Sequence, residues 1–273
     1  MSNIYKVNLS KIKQESLKDV FVLLEYQLSK LGINFYLIGA IAKDMWMSGI
    51  YDMELGRITA DLDLAVLVEN EIQYETLKLN LVATGRFWAL KENKYTLRFD
   101  NSVQIDLLPF GGLNIGEINL TDVLALTNIT NGFAEVHENG TEQIDIEGNH
   151  YAVSTLAGIV LLKLIAYDDR PENRGKDLTD IGNIVRYYDH IFGEDIFEEG
   201  FSDLLNLDSQ LKISSQLLGR HIFPIIEHSL FLLQRVNRIL DQYDLFLEER
   251  VINQHTNEII NILKEIKTGI NSK

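Results

Sequence analysis

The sequence has no cysteine and only three prolines among its 273 residues. The absence of cysteine excludes disulfides and zinc–thiolate sites, and the scarcity of proline favours a chain of mostly regular secondary structure. No apolar stretch approaches the roughly 20 residues that a membrane-spanning helix needs. Residues 1–11 contain no apolar signal region and no cleavage site. We therefore expect a cytoplasmic protein that is not associated with a membrane.

Basic residues are also scarce, because 25 lysines and arginines stand against 40 aspartates and glutamates, which gives a net charge of −15. Proteins that cover long duplexes are usually basic, since neutralising phosphates dominates their affinity. We therefore expect no broad binding to duplex DNA. A site that binds one RNA end is compatible with this charge. Residues 189–203 are the most acidic segment and contain no lysine or arginine. This segment is either a solvated loop or a surface that complements a basic partner.

The first part of the chain mixes helical and strand patterns. Apolar residues at helical spacing predict helices over residues 10–30, 40–48 and 71–83. Alternating or short apolar runs predict strands over residues 34–38, 58–68, 86–91, 95–99, 103–108, 133–137, 143–146 and 151–153. Asn139-Gly140 between two such runs is a strong signal for a hairpin turn.

The pattern becomes almost wholly helical from Ser154 onward, with predicted helices over residues 154–166 and 177–188, and with one long helix or two over residues 229–266. The sequence therefore predicts a mixed α/β (α+β) fold in two domains. Residues 1–152 would form a domain with a mixed sheet flanked by helices. Residues 153–273 would form an α-helical domain.

Two aspartates, Asp61 and Asp63, occur two positions apart on a predicted apolar strand. Because side chains alternate along a strand, both carboxylates point to one side, about 6–7 Å apart. Placing two like charges on an apolar strand is costly unless a cation or hydrogen bonds compensate. An Asp-x-Asp pair also occurs by chance at strand ends, where both carboxylates are solvated.

A third carboxylate, Asp106, interrupts the apolar run of residues 103–108. If this strand lies beside the Asp61 strand, three carboxylates converge in the arrangement that two-metal phosphoryl transfer requires. Hard oxygen ligands of this kind suit Mg²⁺ or Mn²⁺. The six histidines show no metal-ligand spacing.

Residues near these carboxylates could bind phosphate. Gly39 and Ala40 join a predicted strand to a helix, where glycine lets a phosphate approach the backbone and helix N–H groups face it. Such a glycine can equally be structural. Arg57 and Thr59 share the strand parity of Asp61, so Arg57 could contact phosphate or hold Asp63, or could be a surface arginine.

The helical part contains a second group of charged residues. Lys163 lies in an otherwise apolar helix, and its amine could extend to the surface or point inward. Arg170, Arg174 and Lys176 are spaced as in an anion-binding rim, or lie in a solvated loop with local salt bridges to Asp168, Asp169 and Glu172. Asp177 and Asp180 are one helical turn apart. Asp180 could pair with Lys176, or either aspartate could orient Lys163 or Arg170.

Taken together, these features resemble the DNA polymerase β nucleotidyltransferase superfamily. More closely, the sequence resembles the AbiEii/AbiGii family, the toxin components of type IV toxin–antitoxin systems. The similar stretches span about residues 35–222 and are IGAIAKD (38–44), RITADLDLAV (57–66), QIDLLPFG (104–111), LLKLIAYDDRPENRGKDLTDI (161–181) and LLGRHI (217–222). Ala40 departs from the superfamily turn, which has serine or glycine there.

The resemblance implies a polymerase β-like catalytic domain that transfers an NMP group from an NTP to an acceptor hydroxyl. Asp61, Asp63 and Asp106 would bind two Mg²⁺ or Mn²⁺ ions, and Asp106 would also help to deprotonate the acceptor. An inward Lys163 would act in catalysis and contact the triphosphate. The nucleotide site would include Gly39, Ala40, Arg57, Thr59, Lys163, Arg170, Lys176, Asp177 and Asp180. The helical domain would contribute triphosphate and acceptor contacts.

The resemblance also implies an acceptor and a partner. By resemblance, the acceptor is a tRNA 3′ end and a cognate antitoxin is a partner. An antibiotic-type small molecule is an alternative acceptor, since an acidic protein fits a cationic substrate. A catalytically silent member that binds a nucleotide or a partner protein is a further alternative.

Overall fold

The computed structural model describes residues 4–12, 16–53, 61–90, 93–100, 103–112, 130–247 and 254–272. The described chain divides into two units. The first draws on Met1–His137 and Thr141–Thr155, and the second on Glu138–Gly140 and Leu156–Lys273. No helix in the described ranges is both long enough and apolar enough to cross a membrane.

The first unit contains a mixed sheet, in which eight strands lie within the described residues. They are β1 (Ile4–Lys6), β2 (Asn34–Ile38), β3 (Asp61–Val68), β4 (Phe87–Ala89), β5 (Thr96–Phe99), β6 (Val103–Gly111), β7 (Thr141–Ile146) and β8 (Asn149–Ser154). Their spatial order is β1-β7-β8-β2-β3-β6-β5-β4. The pair β3–β6 is parallel, whereas β2–β3 and β5–β6 are antiparallel. The predicted mixed α/β class is confirmed.

Strand β3 follows the alternation that the sequence predicts. Leu62, Leu64 and Val66 are fully buried and point to one face of the sheet, while Asp61 and Asp63 point to the other. Burial of three large aliphatic side chains fixes the parity of the strand, because a slip of one residue would place the aspartates in the core.

Helices of the first unit connect the strands. They are α1 (Leu17–Lys30), α2 (Gly39–Asp44), a π-helical turn (Met45–Ile50), α3 (Glu71–Ala83) and α4 (Phe133–Asn139). Helix α1 buries Leu17, Val20, Leu24 and Leu28 at helical spacing. Helix α3 has the predicted bounds and begins after Asn70, whose side chain accepts a hydrogen bond of 2.9 Å from the backbone N–H of Gln73.

The predicted hairpin at Asn139-Gly140 is wrong, and so is the predicted strand over residues 133–137. That segment is helix α4, whose Phe133 and Val136 are buried three residues apart, as on one face of a helix. The hairpin lies one strand later, between β7 and β8. Its two-residue turn is Glu147-Gly148, with φ of 50° and 92°, and this positive-φ geometry suits the twist of a two-residue hairpin.

The second unit is helical. Its elements are α5 (Leu156–Asp169), α6 (Gly175–Phe192), two 3-10 turns (Gly193–Phe197 and Ser202–Asn206), α7 (Gln210–Ile226), α8 (Leu230–Leu247) and α9 (Gln254–Asn271). The segment predicted as helical over residues 229–266 is thus described as two helices, α8 and α9. Helix α5 is buried on nearly all sides, which explains why its sequence is apolar around the whole circumference.

Helices α7 and α9 approach each other through two glycines. A Cβ atom at Gly219 would lie 2.2 Å from the carbonyl oxygen of Ile266, and one at Gly269 would lie 2.1 Å from the carbonyl oxygen of Gln216. Both obstacles are backbone atoms, which no side-chain rotation can move. The two glycines therefore set the distance between these helices.

We predict that Gly219→Ala lowers the free energy of unfolding by about 1–3 kcal/mol, because the added methyl group forces α7 and α9 apart. Urea unfolding followed by circular dichroism measures the change. Gly193→Ala is the control, since Gly193 has ordinary φ and ψ (−64° and −19°) and no atom within 4 Å of the added methyl group. Equal stabilities of the two variants would contradict the close-contact explanation.

Candidate functional site

A row of paired residues crosses four strands of the first unit. Ile38 pairs with Asp63, Asp63 pairs with Asp106, and Asp106 pairs with Thr96. Directly paired residues on neighbouring strands point to the same face of a sheet. The two carboxylates and the Thr96 hydroxyl therefore share one face, with Gly39 following Ile38 at the end of the row.

Gly39 packs directly against Asp63. A Cβ atom at Gly39 would lie 2.0 Å from Oδ2 of Asp63 and 3.0 Å from its Cβ, and the φ of Gly39 is +72°. Both the space and the backbone conformation require glycine at this turn. Ala40, the next residue, is half-buried in the first turn of α2.

Asp106 is held by a neighbour on the adjacent strand. The Thr96 hydroxyl donates a hydrogen bond of 2.5 Å to Oδ1 of Asp106. Thr96 is 2% exposed, and Asp106 is half-buried. The hydroxyl thus stabilises one oxygen of a carboxylate whose other neighbour in the row is the carboxylate of Asp63.

Asp61 shares the face of Asp63 but lies two positions earlier on β3, where Gln104 is its partner on β6. It is exposed. No group of three or more His, Asp or Glu side chains within the described residues is close enough to hold a metal ion together. Asp63 and Asp106 therefore form an opposed pair, and Asp61 stands beside this pair, so metal binding by all three stays a prediction.

Two charged residues close to this row were not singled out from the sequence. Lys43 and Asp44, on α2, are 4% and 9% exposed, and Nζ of Lys43 lies 3.5 Å from Oδ1 of Asp44. Both belong to the stretch IGAIAKD, in which Lys43 and Asp44 follow Gly39 by four and five positions. Two adjacent charges within a short apolar helix are the signal that could have identified them, because such residues are rarely buried without a partner.

In the second unit, Lys163 is buried and paired with two carboxylates. Its Nζ donates to Oδ1 of Asp177 at 2.7 Å and to Oδ2 of Asp180 at 2.8 Å. Arg174 adds a longer ion pair, with Nη1 at 3.6 Å from Oδ2 of Asp177. The amine of Lys163 thus points inward, and Asp177 and Asp180 orient it. A contact between Lys163 and a phosphate stays a prediction.

The charge state of Lys163 follows from two opposing effects. Burial lowers the pKa of its amine, but the nearby Asp177 and Asp180 carboxylates outweigh burial and raise that pKa above its ordinary value. Lys163 is therefore an ammonium at neutral pH. An ammonium has three N–H donors, and the two carboxylates accept two of them.

A second buried ion cluster joins α5 to α8. Arg235, 8% exposed, donates to Oδ1 of Asp169 at 2.5 Å and to Oδ2 of Asp168 at 3.2 Å, and Arg238 donates to the same Asp168 oxygen at 2.8 Å. One of the two interpretations of the sequence made Asp168 and Asp169 local salt-bridge partners of Arg170 and its neighbours. They instead pair with a helix more than 60 residues later.

The remaining predicted nucleotide-binding residues fall into two groups. Arg170 and Lys176 are exposed, at the end of α5 and the start of α6 respectively. Arg57 and Thr59 lie outside the described residues.

The acidic segment of residues 189–203 combines paired and exposed carboxylates. Asp203 accepts hydrogen bonds from Arg220 of α7, which lowers the pKa of its carboxyl group. Glu194, Glu198 and Glu199 are exposed. The two 3-10 turns over this segment thus present a solvated acidic surface.

Comparisons with known proteins identify two distant structural neighbours. A nucleotidyltransferase-like antigenic protein from Paracoccidioides brasiliensis has 16% sequence identity and a TM-score of 0.42, over 83% of this chain and 93% of that one. A proposed nucleotidyltransferase from H. pylori has 11% identity and a TM-score of 0.37, over 93% of this chain and 94% of that one. No protein-family model and no curated protein sequence matches the chain. Both TM-scores are below 0.5.

We predict that Gly39→Ala lowers the free energy of unfolding more than Gly32→Ala does. Gly32 has a similar φ of +64° but no atom within 4 Å of an added methyl group, so its substitution costs only the backbone strain of about 1–2 kcal/mol. Gly39→Ala adds the displacement of Asp63, for a further 1–3 kcal/mol or so. Urea unfolding of both variants measures the difference, and equal losses would show that Asp63 does not require glycine.

We also predict that Lys163→Met lowers the free energy of unfolding by about 3–5 kcal/mol, because Asp177 and Asp180 lose their buried partner. The triple variant Lys163→Met, Asp177→Asn, Asp180→Asn should recover part of that loss. In the wild type, folding raises the pKa of Lys163, so its contribution to stability is complete below its ordinary pKa of 10.5 and is lost as pH rises from that value through the raised one. Denaturant unfolding between pH 6 and 11 checks both statements. A triple variant no more stable than Lys163→Met would contradict the pairing argument.

Proposed function

We propose that this chain is a metal-dependent nucleotidyltransferase, which moves an NMP group from an NTP to an acceptor hydroxyl and releases pyrophosphate. The observation that carries the proposal is the opposed pair of Asp63 and Asp106 on the parallel strands β3 and β6. The first unit would carry the chemistry, and the helical unit would contribute contacts to the substrates.

The opposed carboxylates fit a divalent cation by their chemistry and position. Neighbouring strands are about 4.8 Å apart, so two negative charges face the same side at short range. Like charges directly opposite each other destabilise a sheet unless something compensates them. The donors are carboxylate oxygens, which Mg²⁺ and Mn²⁺ prefer.

Asp63 and Asp106 would hold the metal, and Asp61 would reach it from two positions earlier on the same face. A bound Mg²⁺ or Mn²⁺ would supply charge for the triphosphate oxygens and lower the pKa of an acceptor hydroxyl. Asp106, in this proposal, also accepts the proton that the hydroxyl loses. Gly39, on the neighbouring turn, leaves the space that the carboxylate of Asp63 occupies.

The nucleotide contacts belong to the proposal as well. Ala40 offers only its backbone to a phosphate, because it has no hydroxyl. Arg57 and Thr59 precede β3, and the exposed Arg170 and Lys176 are the cations of the helical unit proposed for phosphate contacts.

Lys163 is proposed as a triphosphate ligand, and Asp177 and Asp180 as the residues that orient it. The third donor of its ammonium group is the one that would serve this contact.

The acceptor is proposed from the resemblance to the AbiEii/AbiGii family. It would be the 3′ end of a tRNA, and the protein would act as a toxin with a cognate antitoxin. A cationic small molecule is the second candidate acceptor, and the net charge of −15 favours it. Both candidates use the same carboxylates, so one experiment can address the chemistry and the acceptor together.

We predict that Asp63→Ala lowers the rate of nucleotidyl transfer by about a thousandfold, which corresponds to a loss of about 4 kcal/mol of transition-state stabilisation. The measurement uses each labelled NTP with Mg²⁺ or Mn²⁺, and offers total tRNA and an aminoglycoside panel as acceptors. Glu69→Ala, an exposed glutamate immediately after β3, is the control and should transfer at the wild-type rate.

Circular dichroism and thermal unfolding would establish that Asp63→Ala is folded. Full transfer activity in that folded variant would contradict the assignment of Asp63. Label in tRNA supports the first acceptor, and label in an aminoglycoside supports the second. Absence of transfer in the wild type with all NTPs and acceptors, together with absence of metal-dependent NTP binding, would contradict the enzyme proposal.

A further inference from the structure

Thr96, at one end of the four-strand row, bonds directly to Asp106, a proposed metal ligand, through a neutral hydroxyl group. It lies on β5 opposite Asp106. Its hydroxyl oxygen is 2.5 Å from Oδ1 of Asp106, and the residue is 2% exposed. No motif in the sequence points to it.

The chemistry of the pair fixes the direction of the hydrogen bond. The Thr96 hydroxyl is the donor and Oδ1 of Asp106 is the acceptor, which is the direction that an ionised carboxylate requires. Burying a hydroxyl without a partner costs free energy, and valine would fill nearly the same volume without that cost. A hydroxyl at this buried position is therefore explained by the carboxylate that it contacts.

The restricted side chain of threonine makes it suited to holding a carboxylate still. Branching at Cβ limits the χ1 rotamers of Thr96, and the flanking Leu97 is fully buried. One oxygen of Asp106 is thereby fixed in direction, which sets the plane of the whole carboxylate group. Such hydrogen bonds to metal ligands affect metal affinity by about 10- to 100-fold in characterised sites.

We propose that Thr96 is a positioning residue that orients Asp106 for binding a divalent cation. This inference rests on the proposed function, because it takes Asp106 as a metal ligand. Thr96 itself does not touch the metal or the substrate. It also offsets part of the repulsion between Asp106 and Asp63, since its hydroxyl dipole points at one of the two charges.

The test separates the hydroxyl group from the methyl group. Thr96→Val keeps the shape of the side chain and removes the hydroxyl, whereas Thr96→Ser keeps the hydroxyl and removes the methyl group. Tyr74→Phe is the matched control. It removes another buried hydroxyl, which donates at 2.8 Å to the carbonyl oxygen of Leu107, the residue after Asp106 on β6.

The readout is the Mn²⁺ affinity of the full chain. It is measured by electron paramagnetic resonance titration without nucleotide. We expect about tenfold weaker binding for Thr96→Val. Thr96→Ser should bind within about twofold of the wild type, and so should Tyr74→Phe. Thermal unfolding of each variant reports any loss of stability separately, since a purely structural role would change stability without changing the affinity of the folded protein.

Wild-type affinity in folded Thr96→Val would overturn the inference, as would equal losses in Thr96→Val and Thr96→Ser. Should Thr96→Val not fold, Thr96→Ala, which also lacks the hydroxyl, takes its place with the same expected loss. If the wild type binds no Mn²⁺, both the metal assignment and this inference fall. If the wild type binds Mn²⁺ and loss of the hydroxyl does not change the Mn²⁺ affinity, only the proposed role of Thr96 is contradicted.

Discussion

The opposition of Asp63 and Asp106 is the constraint on which the rest of the first unit depends. Two carboxylates stand side by side on the parallel strands β3 and β6, near the middle of the sheet. Repulsion of this kind would favour a different register, so the surrounding residues must hold the pairing. Buried leucines on the opposite face of β3 fix its parity, Gly39 packs against one carboxylate, and Thr96 bonds to the other.

The part of the site that follows from local periodicity could be predicted from the sequence. The shared face of Asp61 and Asp63 needed only the alternation of a strand. Their relation to Asp106 needed the pairing of β3 with β6, which no local pattern encodes. The partnership of Thr96 depends on register across the turn near Asp100. Asn139-Gly140 shows the opposite failure, because a strong local turn signal was overridden by the packing of Phe133 and Val136 in a helix.

In the helical unit, the ion-pair partners of the charged residues could not be predicted from their spacing in the sequence. From spacing alone, Asp180 could pair with Lys176 one turn away. The structure pairs it with Lys163, because a buried ammonium needs carboxylates more than an exposed one does. Arg235 forms ion pairs with Asp168 and Asp169, which are separated from it by a still longer stretch of the chain. Such partners are set by helix packing, and the sequence signal is only a charge within an apolar stretch.

The glycine contact between α7 and α9 has a consequence for synthesis of the protein. Residues 219 and 269 are about 50 positions apart, so α7 is translated well before the surface that it packs against. At a translation rate of about 5–20 residues per second, Gly269 of α9 is synthesised roughly 3–10 s after Gly219 of α7. During that interval the surface of α7 around Gly219 is not yet covered by α9. The helical unit therefore completes its fold after translation has passed residue 269.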